Sequence, residues 1–496
     1  MLLLLLGLAS PVAAQTLRVG VAGQDAGSLD PHRATSTQDK GTVGWMYDGM
    51  VRFPPGSADP AKLEPDLASS FTVSADGLTF DFTLRPGVLF HDGQPLTAED
   101  VAFSLRRAAD PQRSAFAADY RVIETIEVVG PLQLRVKLRT LVPGALGMFA
   151  NYHGGMVVSR QADTGAQPPG TGPFRLERVG AGSGRLLAND TYFRGRPALR
   201  AIDVRFITSD QTRELAFVAG ELDLIYGRRE QRWVERMRAV PNVVVEVFGP
   251  GEFRTLLINA NVPPLNDPRL RRAIQYAVDP VAIARFVGTD VATVWPSPVP
   301  PGYLGSTDDV PRFNADPARA RALLVEAGHP NGLALRAVVS NISAQQPIME
   351  VIQAQLRRAN IRLDMSVVEH TTYHQQIRQD LSQLTFYGAA RYPVADSYLT
   401  QFYHSASSPG RPTTSLNFAH CSAADAEIDA ARQEANAPAQ LALWATAQRK
   451  VLEAGCSVPL FDLRQVWVRR SNLDLGYRLE GALNLAPPIT EATRLR

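Results

Sequence analysis

Hydrophobic and polar residues alternate on both sides of a short turn near the start of the chain. An Asp76-Gly77 pair occupies the turn, and alternation around such a pair is typical of a β-hairpin with one buried face. Thr97 and Asp100 then have the spacing of a capping box, which predicts a helix from this point onward. The stretch 65–107 is therefore predicted to form a hairpin and a capped helix. The alternating apolar positions are Phe71, Val73, Leu78, Phe80, Phe82 and Leu84.

Strand-like and helix-like patterns succeed one another along the rest of the chain. Residues 335–339, 348–358 and 361–368 follow the order strand, helix, strand, which predicts a βαβ unit with parallel strands. Residues 43–51 are predicted to form a helix. Asp-Pro pairs mark the predicted starts of three further helices, since an aspartate cap before a first-turn proline favours helix initiation. These pairs are Asp267-Pro268, Asp279-Pro280 and Asp316-Pro317.

Length and composition indicate a soluble globular protein. A chain of 496 residues corresponds to about three domain-sized units. Its 45% hydrophobic and 20% charged residues are ordinary values that exclude a disordered class. The net charge of +2 is too small to indicate nucleic-acid binding. Arginine replaces lysine almost everywhere, and the lysines are Lys40, Lys62, Lys137 and Lys450.

The first fourteen residues are typical of a secretory signal peptide. A leucine run is followed by small residues, with Val12 and Ala14 at the positions that precede a cleavage site. No lysine or arginine precedes the run, which departs from a complete signal. No cysteine lies near the cleavage point, so we expect a periplasmic protein without a lipid anchor.

The two cysteines fall at the same end of a predicted helix hairpin. Cys421 precedes a helix at 423–434, and Cys456 follows a helix at 438–453. The start of the first helix and the end of the second lie close together in an antiparallel pair. An exported chain meets oxidising conditions, so we predict a disulfide. Two independent buried thiols are the alternative.

The residues from Pro65 to Arg107 carry a family resemblance. The order S-x-DGLT-x-x-F-x-LR-x-GV-x-FHDG-x-PLTAEDV resembles the signature block of the family 5 extracellular solute-binding proteins, the peptide and nickel class of ABC-importer receptors. The GTGP-aromatic motif at 170–174 is similar to a second block of that family.

The resemblance implies a fold and a function. The expected fold is α/β, a two-lobed type II periplasmic binding protein whose lobes are joined by two crossover strands. It implies capture of a small, peptide-like or anionic solute and delivery to an inner-membrane ABC permease, by a monomer without a cofactor. The expected segments are the signal peptide 1–14, lobe one 15–255 with an inserted subdomain at 53–168, lobe two 256–465, and a return to lobe one at 466–496.

One block of the family departs from its pattern in this chain. The stretch 385–399 aligns with W-x-x-D-Y-x-D-P, but Gly388 replaces the tryptophan and Arg391 replaces the first aspartate, while Tyr392 persists. In peptide-binding relatives that aspartate accepts the α-ammonium of the ligand. A guanidinium favours a carboxylate instead, so we expect an anionic ligand in a pocket made roomier by Gly388. In the alternative, Arg391 pairs with a neighbouring aspartate and faces water.

Five further residues are candidate ligand contacts because matching positions line the cleft in relatives. Each has an ordinary structural alternative. A turn that caps the next helix would explain the first two residues, and a solvated arginine and a core phenylalanine would explain the next two. The tryptophan precedes a proline-rich loop that borders the cleft in relatives. The five are Thr35, Ser36, Arg113, Phe116 and Trp295.

Enzymatic functions find little support in the sequence. It contains neither a G-x-S-x-G elbow nor an H-E-x-x-H motif. His370 and His374 stand four residues apart beside Glu369, a spacing that can ligate zinc or nickel, although solvated histidines are the plainer interpretation. A metal-chelate or haem receptor and an exported hydrolase on the same scaffold are the alternative functions.

Overall fold

A computed structural model describes residues 15–161, 167–342, 345–411 and 416–496. The predicted signal peptide lies outside the described residues. Within them, a nine-stranded mixed sheet is accompanied by four smaller sheets and by helices. No helix in this part of the chain is long and apolar enough to cross a membrane.

Nineteen strands are assigned in the described residues. In chain order they are β1 Thr16–Val21, β2 Val51–Arg52, β3 Glu64–Pro65, β4 Ala68–Val73, β5 Thr79–Leu84, β6 Ile123–Gly130, β7 Gln133–Leu138, β8 Phe174–Gly180, β9 Ser183–Ala188, β10 Ala201–Phe206, β11 Leu224–Tyr226, β12 Val243–Ile258, β13 Ala292–Val294, β14 Leu333–Ser340, β15 Ile361–Val368, β16 Leu384–Ala389, β17 Ser457–Arg470, β18 Leu473–Asp474 and β19 Arg494–Leu495. The large sheet has the order β16-β12-β17-β11-β1-β10-β9-β8, with β13 beside β17.

Thirteen α-helices are assigned in the same residues. They are α1 Thr37–Val43, α2 Ala98–Ala109, α3 Ala117–Tyr120, α4 Asp210–Val218, α5 Gln231–Arg238, α6 Pro268–Ala277, α7 Pro280–Val287, α8 Pro317–Glu326, α9 Gln346–Arg358, α10 His370–Arg378, α11 Ala395–Tyr403, α12 Asp425–Gln433 and α13 Ala437–Glu453.

The two longest strands, β12 and β17, run antiparallel and connect the two halves of the large sheet. Their pairing shifts register at two places, and the larger shift, called the register shift below, places residues 249–251 of β12 opposite the single residue Arg464 of β17. On one side of the shift β17 pairs with β11, and on the other side β12 pairs with β16. We propose that the shift marks the junction between the predicted lobes. The names lobe one (15–255 and 466–496) and lobe two (256–465) are used below with that meaning.

Most local sequence signals are confirmed. Strands β4 and β5 form the expected hairpin, and they join β7 and β6 in a four-stranded sheet that packs with α2 in one hydrophobic cluster. The capping box of Thr97 and Asp100 is present. Asp267, Asp279 and Asp316 each accept a backbone N–H at the start of their helices. Strands β14 and β15 are parallel, as the βαβ pattern predicts.

The helix predicted at 43–51 is wrong. The helix in this region is α1, which begins after the Ser36 cap and ends before Gly44. The apolar residues that follow are buried in an irregular segment, where Gly170 and Gly172 pack directly against the backbone of Met46. Their burial reflects this long-range contact and not a helical face.

The predicted disulfide is confirmed. Cys421 and Cys456 are bonded, with their Cα atoms 5.7 Å apart, and both are almost fully buried. The bond joins the start of α12 to the end of α13, as expected for an antiparallel helix pair.

Candidate functional site

Arg391 lies in the loop that follows β16, and its backbone is held by Tyr303. The Tyr303 hydroxyl donates to the carbonyl oxygen of Arg391 at 2.9 Å and accepts from its N–H at 3.2 Å. The guanidinium donates from Nε to Gln401 Oε1 at 2.5 Å and lies 5.5 Å from the ring centroid of Phe402. No carboxylate in the described chain forms an ion pair with Arg391, so the alternative of a neighbouring aspartate is wrong.

Tyr392 lies where the two lobes meet. Its ring packs edge-on against Phe53, with centroids 6.3 Å apart, and lies 6.2 Å from the ring of Tyr152. The hydroxyl oxygen faces Gly147 so closely that a Cβ there would lie 1.6 Å from it. This hydroxyl is buried and has no hydrogen-bond partner among the described residues. Contact between the lobes at this point therefore depends on glycine at 147.

Lys40 of α1 approaches Arg391 from lobe one. Burial lowers the pKa of Lys40 to about 8, and the charge of Arg391 is a second cause. Within the described ranges Lys40 makes no ion pair. The other three lysines do, with Nζ to carboxylate distances of 3.6 Å for Lys62–Asp59, 2.9 Å for Lys137–Glu124 and 2.5 Å for Lys450–Glu427.

Three rings are stacked beside these cations. The rings of Phe116 and His153 are nearly parallel, with centroids 4.1 Å apart. The ring centroid of Tyr152 lies 3.5 Å from that of His153. His153 Nε2 is buried and has no partner in the described part of the chain. Burial lowers the pKa of His153 well below its usual value, and the charges of Lys40 and Arg391 lower it further. His153 is therefore a neutral side chain able to donate or accept one hydrogen bond.

Asp119 contributes a carboxyl group to the surroundings of Arg391. Burial raises its pKa, and the positive charge of Arg391 opposes that rise. We use the name interlobe site for the set Lys40, Phe116, Asp119, Tyr152, His153, Arg391 and Tyr392. It combines two cations from different lobes, two buried polar atoms without partners and one acid. Such a set can hold a ligand that carries an anionic group together with hydrogen-bonding groups.

The pocket next to Gly388 is not roomier, and that expectation is wrong. A Cβ on Gly388 would lie 2.3 Å from an Nη atom of Arg254, because the Arg254 side chain fills the space that an indole would need. Arg254 and Arg229 both contact the carboxylate of Glu252, at 2.5 Å and 3.1 Å. Burial alone would raise the pKa of Glu252, but the two guanidinium groups lower it to about 2. A buried charged cluster thus stands beside Gly388.

The remaining sequence candidates divide between structural roles and other surfaces. Ser36 caps α1, its hydroxyl accepting from the Asp39 N–H at 3.2 Å, and Thr35 beside it is exposed. Arg113 lies 5.5 Å from the ring centroid of Phe103. The Trp295 indole donates to the Val299 carbonyl at 2.9 Å. It lines a groove of about 580 Å³ that includes no residue of the interlobe site.

Sequence reasoning found Arg391, Tyr392 and Phe116 but missed Lys40, Asp119, Tyr152 and His153. One signal for Lys40 was present, since lysine is rare in this arginine-rich chain. The other three residues stand in no recognisable spacing. They reach the site only because the inserted subdomain packs against the loop after β16.

We expect Gly147→Ala to block closure of the lobes. The new methyl group would collide with the Tyr392 hydroxyl oxygen, while Gly147 itself has no backbone conformation that requires glycine. Ligand affinity should fall by tenfold or more, and small-angle scattering should show a larger radius of gyration with ligand than the unaltered protein gives.

The matched control combines Gly147→Ala with Tyr392→Ala. Removing the ring removes the collision, so the double variant should close as Tyr392→Ala alone does. If Gly147→Ala binds and contracts like the unaltered protein, the lobes do not meet at this contact.

Comparisons with known protein sequences match about 70–75% of the chain. The model of the bacterial extracellular solute-binding proteins, family 5 middle, matches residues 62–410. The glutathione-binding protein GsiB of Salmonella paratyphi A is 29% identical over 381 residues, covering 73% of each chain. Di/tripeptide-binding protein 2 of Pseudomonas aeruginosa is 30% identical over 406 residues, covering 74% of this chain and 75% of the relative.

Solved structures agree in fold. The structure of MoaA from A. tumefaciens R10 in complex with mannopinic acid is 42% identical, with a TM-score of 0.84 over 98% of this chain and 100% of that one. DppA from Helicobacter pylori in complex with the peptide STSA is 25% identical, with a TM-score of 0.78 over 97% and 98%. The predicted fold class, a two-lobed type II periplasmic binding protein, is confirmed.

Proposed function

Because this chain belongs to family 5 of the bacterial extracellular solute-binding proteins, we propose that it captures a small carboxylate-bearing solute in the interlobe site. Its relatives are solute-binding proteins, and this chain is a solute-binding protein as well. The finer proposal concerns the chemistry of the solute, which rests on the residues of the site.

The pair of cations, Lys40 and Arg391, carries this proposal. They come from different lobes, the charge of Arg391 is close enough to lower the pKa of Lys40, and neither forms an ion pair with a carboxylate in the described residues. Two like charges that lose water cost free energy unless an anion lies between them. A ligand carboxylate would offset that cost by accepting charge-assisted hydrogen bonds from both groups. Closing the lobes on such a ligand would therefore be more favourable than closing them empty.

The relatives with known ligands include peptide binders, and the 42% identical MoaA is the one that supports an acid here. MoaA was solved with mannopinic acid, and an acid carries a carboxylate at neutral pH. The α-ammonium of a free peptide would instead meet two cations. The aspartate of peptide-binding relatives is replaced by Arg391 at the matching position. We therefore propose a ligand of the same acidic class as mannopinic acid.

The proposed cycle is binding, closure and delivery. The lobes would close by a hinge at the register shift between β12 and β17, exclude water and strengthen the polar contacts. We propose that the protein works as a monomer in the periplasm and hands its solute to an ABC permease in the inner membrane, without chemical change. The relatives are binding proteins and not enzymes, and turnover of a bound acid would contradict this part of the proposal.

Isothermal titration with three probes tests the ligand class. Mannopinic acid, glutathione and a dipeptide with a free amino terminus are titrated separately into protein that has been unfolded and refolded to remove bound solute. Mannopinic acid should bind more tightly than the dipeptide by at least tenfold. Tight binding of the dipeptide with no response to mannopinic acid would overturn the proposal.

Affinity for the acid should depend on pH through Lys40. The pKa of Lys40 in the free protein is about 8, and a bound carboxylate favours the protonated amine. Below pH 8 the Lys40 amine already carries its positive charge before the ligand binds. Above pH 8 a proton must be taken up on binding, so the association constant should fall towards tenfold per pH unit. Titrations at pH 7 and pH 9 measure this fall, and Lys40→Gln should abolish it.

A further inference from the structure

Two histidines outside the interlobe site lie side by side on α10. His370 and His374 are one helical turn apart, and their Nε2 atoms are 3.3 Å from each other. Two nitrogen ligands at about 2.0–2.1 Å from one tetrahedral metal ion lie about 3.3–3.4 Å apart. The observed spacing therefore matches that of two nitrogens bound to one tetrahedral ion.

The surroundings of His370 are those of a ligand. Its other ring nitrogen, Nδ1, lies 2.9 Å from the hydroxyl oxygen of Ser340, which is fully buried at the end of β14. A metal-bound histidine almost always has its second nitrogen bonded to an oxygen, which fixes the tautomer and the ring orientation. In the tautomer whose Nδ1–H donates to Ser340, the lone pair of His370 is on Nε2, which lies 3.3 Å from the Nε2 of His374.

His374 is held by packing and carries a polar atom without a partner. Its ring lies between those of Tyr373 and Tyr387, with centroids 5.2 Å and 6.0 Å away. Its Nδ1 is buried and makes no hydrogen bond in the described residues. The packing of the two tyrosine rings holds the His374 ring so that its Nε2 lies beside that of His370.

We propose that His370 and His374 form a bidentate site for a divalent transition metal of the Cu²⁺, Ni²⁺ or Zn²⁺ type. No third histidine, cysteine, aspartate or glutamate of the described ranges completes a cluster. The adjacent Glu369 is engaged as the helix cap, accepting the N–H groups of Thr371 and Thr372. Two coordination positions or more are then open to water or to a chelating solute, unlike a closed structural zinc site.

A nickel titration tests this site. Tag-free protein, dialysed against EDTA and then against chelator-free buffer, is titrated with NiCl₂ in a calorimeter at pH 7.5. One equivalent should bind. His370→Gln and His374→Gln should each weaken binding by about tenfold or more, as loss of one of two ligands requires. His329→Gln, which alters a histidine outside the pair, should bind nickel like the unaltered protein.

Two further readouts separate a metal site from a histidine–histidine hydrogen bond. Nickel should raise the melting temperature of the unaltered protein and leave that of the double variant His370→Gln/His374→Gln unchanged. Ser340→Ala should weaken nickel binding by a smaller factor, because only the orientation of His370 is lost. Equal nickel uptake by the double variant and the unaltered protein, or no uptake by the unaltered protein at millimolar nickel, overturns the proposal.

The result does not depend on the carboxylate proposed for the interlobe site. Failure of nickel to bind leaves the titration with mannopinic acid unaffected, and failure of mannopinic acid to bind leaves the nickel titration unaffected. The two sites have no residue in common, so the variants of each site test only the proposal for that site.

Discussion

Arg391→Ala is expected to weaken mannopinic acid binding by about tenfold to a hundredfold, the value of one hydrogen bond to a charged group. The variant should fold normally, because the side chain of Arg391 donates only to Gln401 and to the Ala390 carbonyl in the described residues. Lys40→Gln should weaken binding to a similar degree. Calorimetric titration of the variants against the unaltered protein measures both effects.

The matched control for this experiment is Lys137→Gln. Lys137 is exposed on β7 and pairs with Glu124 at 2.9 Å, and it is not part of the interlobe site, so its loss should leave affinity unchanged. The double variant Lys40→Gln/Arg391→Ala should lose less binding free energy than the sum of the losses in the two single variants if both groups contact one carboxylate. Unchanged affinity in Arg391→Ala for every acid that binds would remove Arg391 from the site.

Replacing both cysteines, as Cys421→Ala with Cys456→Ala, is expected to lower the free energy of unfolding by about 3–4 kcal/mol. The bond closes a loop with a sequence separation of 35, and the entropy that such a loop loses in the unfolded chain gives this magnitude. Urea denaturation monitored by fluorescence measures the change. Ligand affinity at 25 °C should be retained, since neither cysteine belongs to the interlobe site.

Reduction provides the internal control for the disulfide. The unaltered protein, reduced with dithiothreitol in urea and measured in the same buffer, should unfold at the urea concentration of the double variant. Either single variant should lose as much stability as the double variant, because each breaks the same bond. A double variant within about 1 kcal/mol of the unaltered protein would show that the bond contributes little.

Features that depend on neighbouring residues were predictable from the sequence. The hairpin of β4 and β5, the capping box of Thr97 and the aspartate caps of α6, α7 and α8 all follow from residues within one or two turns of each other. The family resemblance extended this to the fold class, and the placement of the cysteines at one end of a helix pair predicted their bond. These features need no knowledge of distant partners.

Features that depend on distant contacts were not predictable. A free space beside Gly388 was expected from the residue alone, but Arg254 on the adjacent strand β12 fills it. The helix predicted at 43–51 failed because Met46 is buried by Gly170 and Gly172 and not by a helical face. In both cases the deciding atom belongs to a residue more than a hundred positions away.

The sequence by itself determined the family, the order of most elements and the arginine that departs from the peptide-binding pattern. Only the tertiary structure decided that this arginine has no acidic partner and that Lys40 approaches it from the other lobe. The physical reason is that charge interactions act through space. Lys40 and Arg391 are 351 positions apart in the chain, and no local pattern records that folding brings these two cations together without an ion-paired carboxylate.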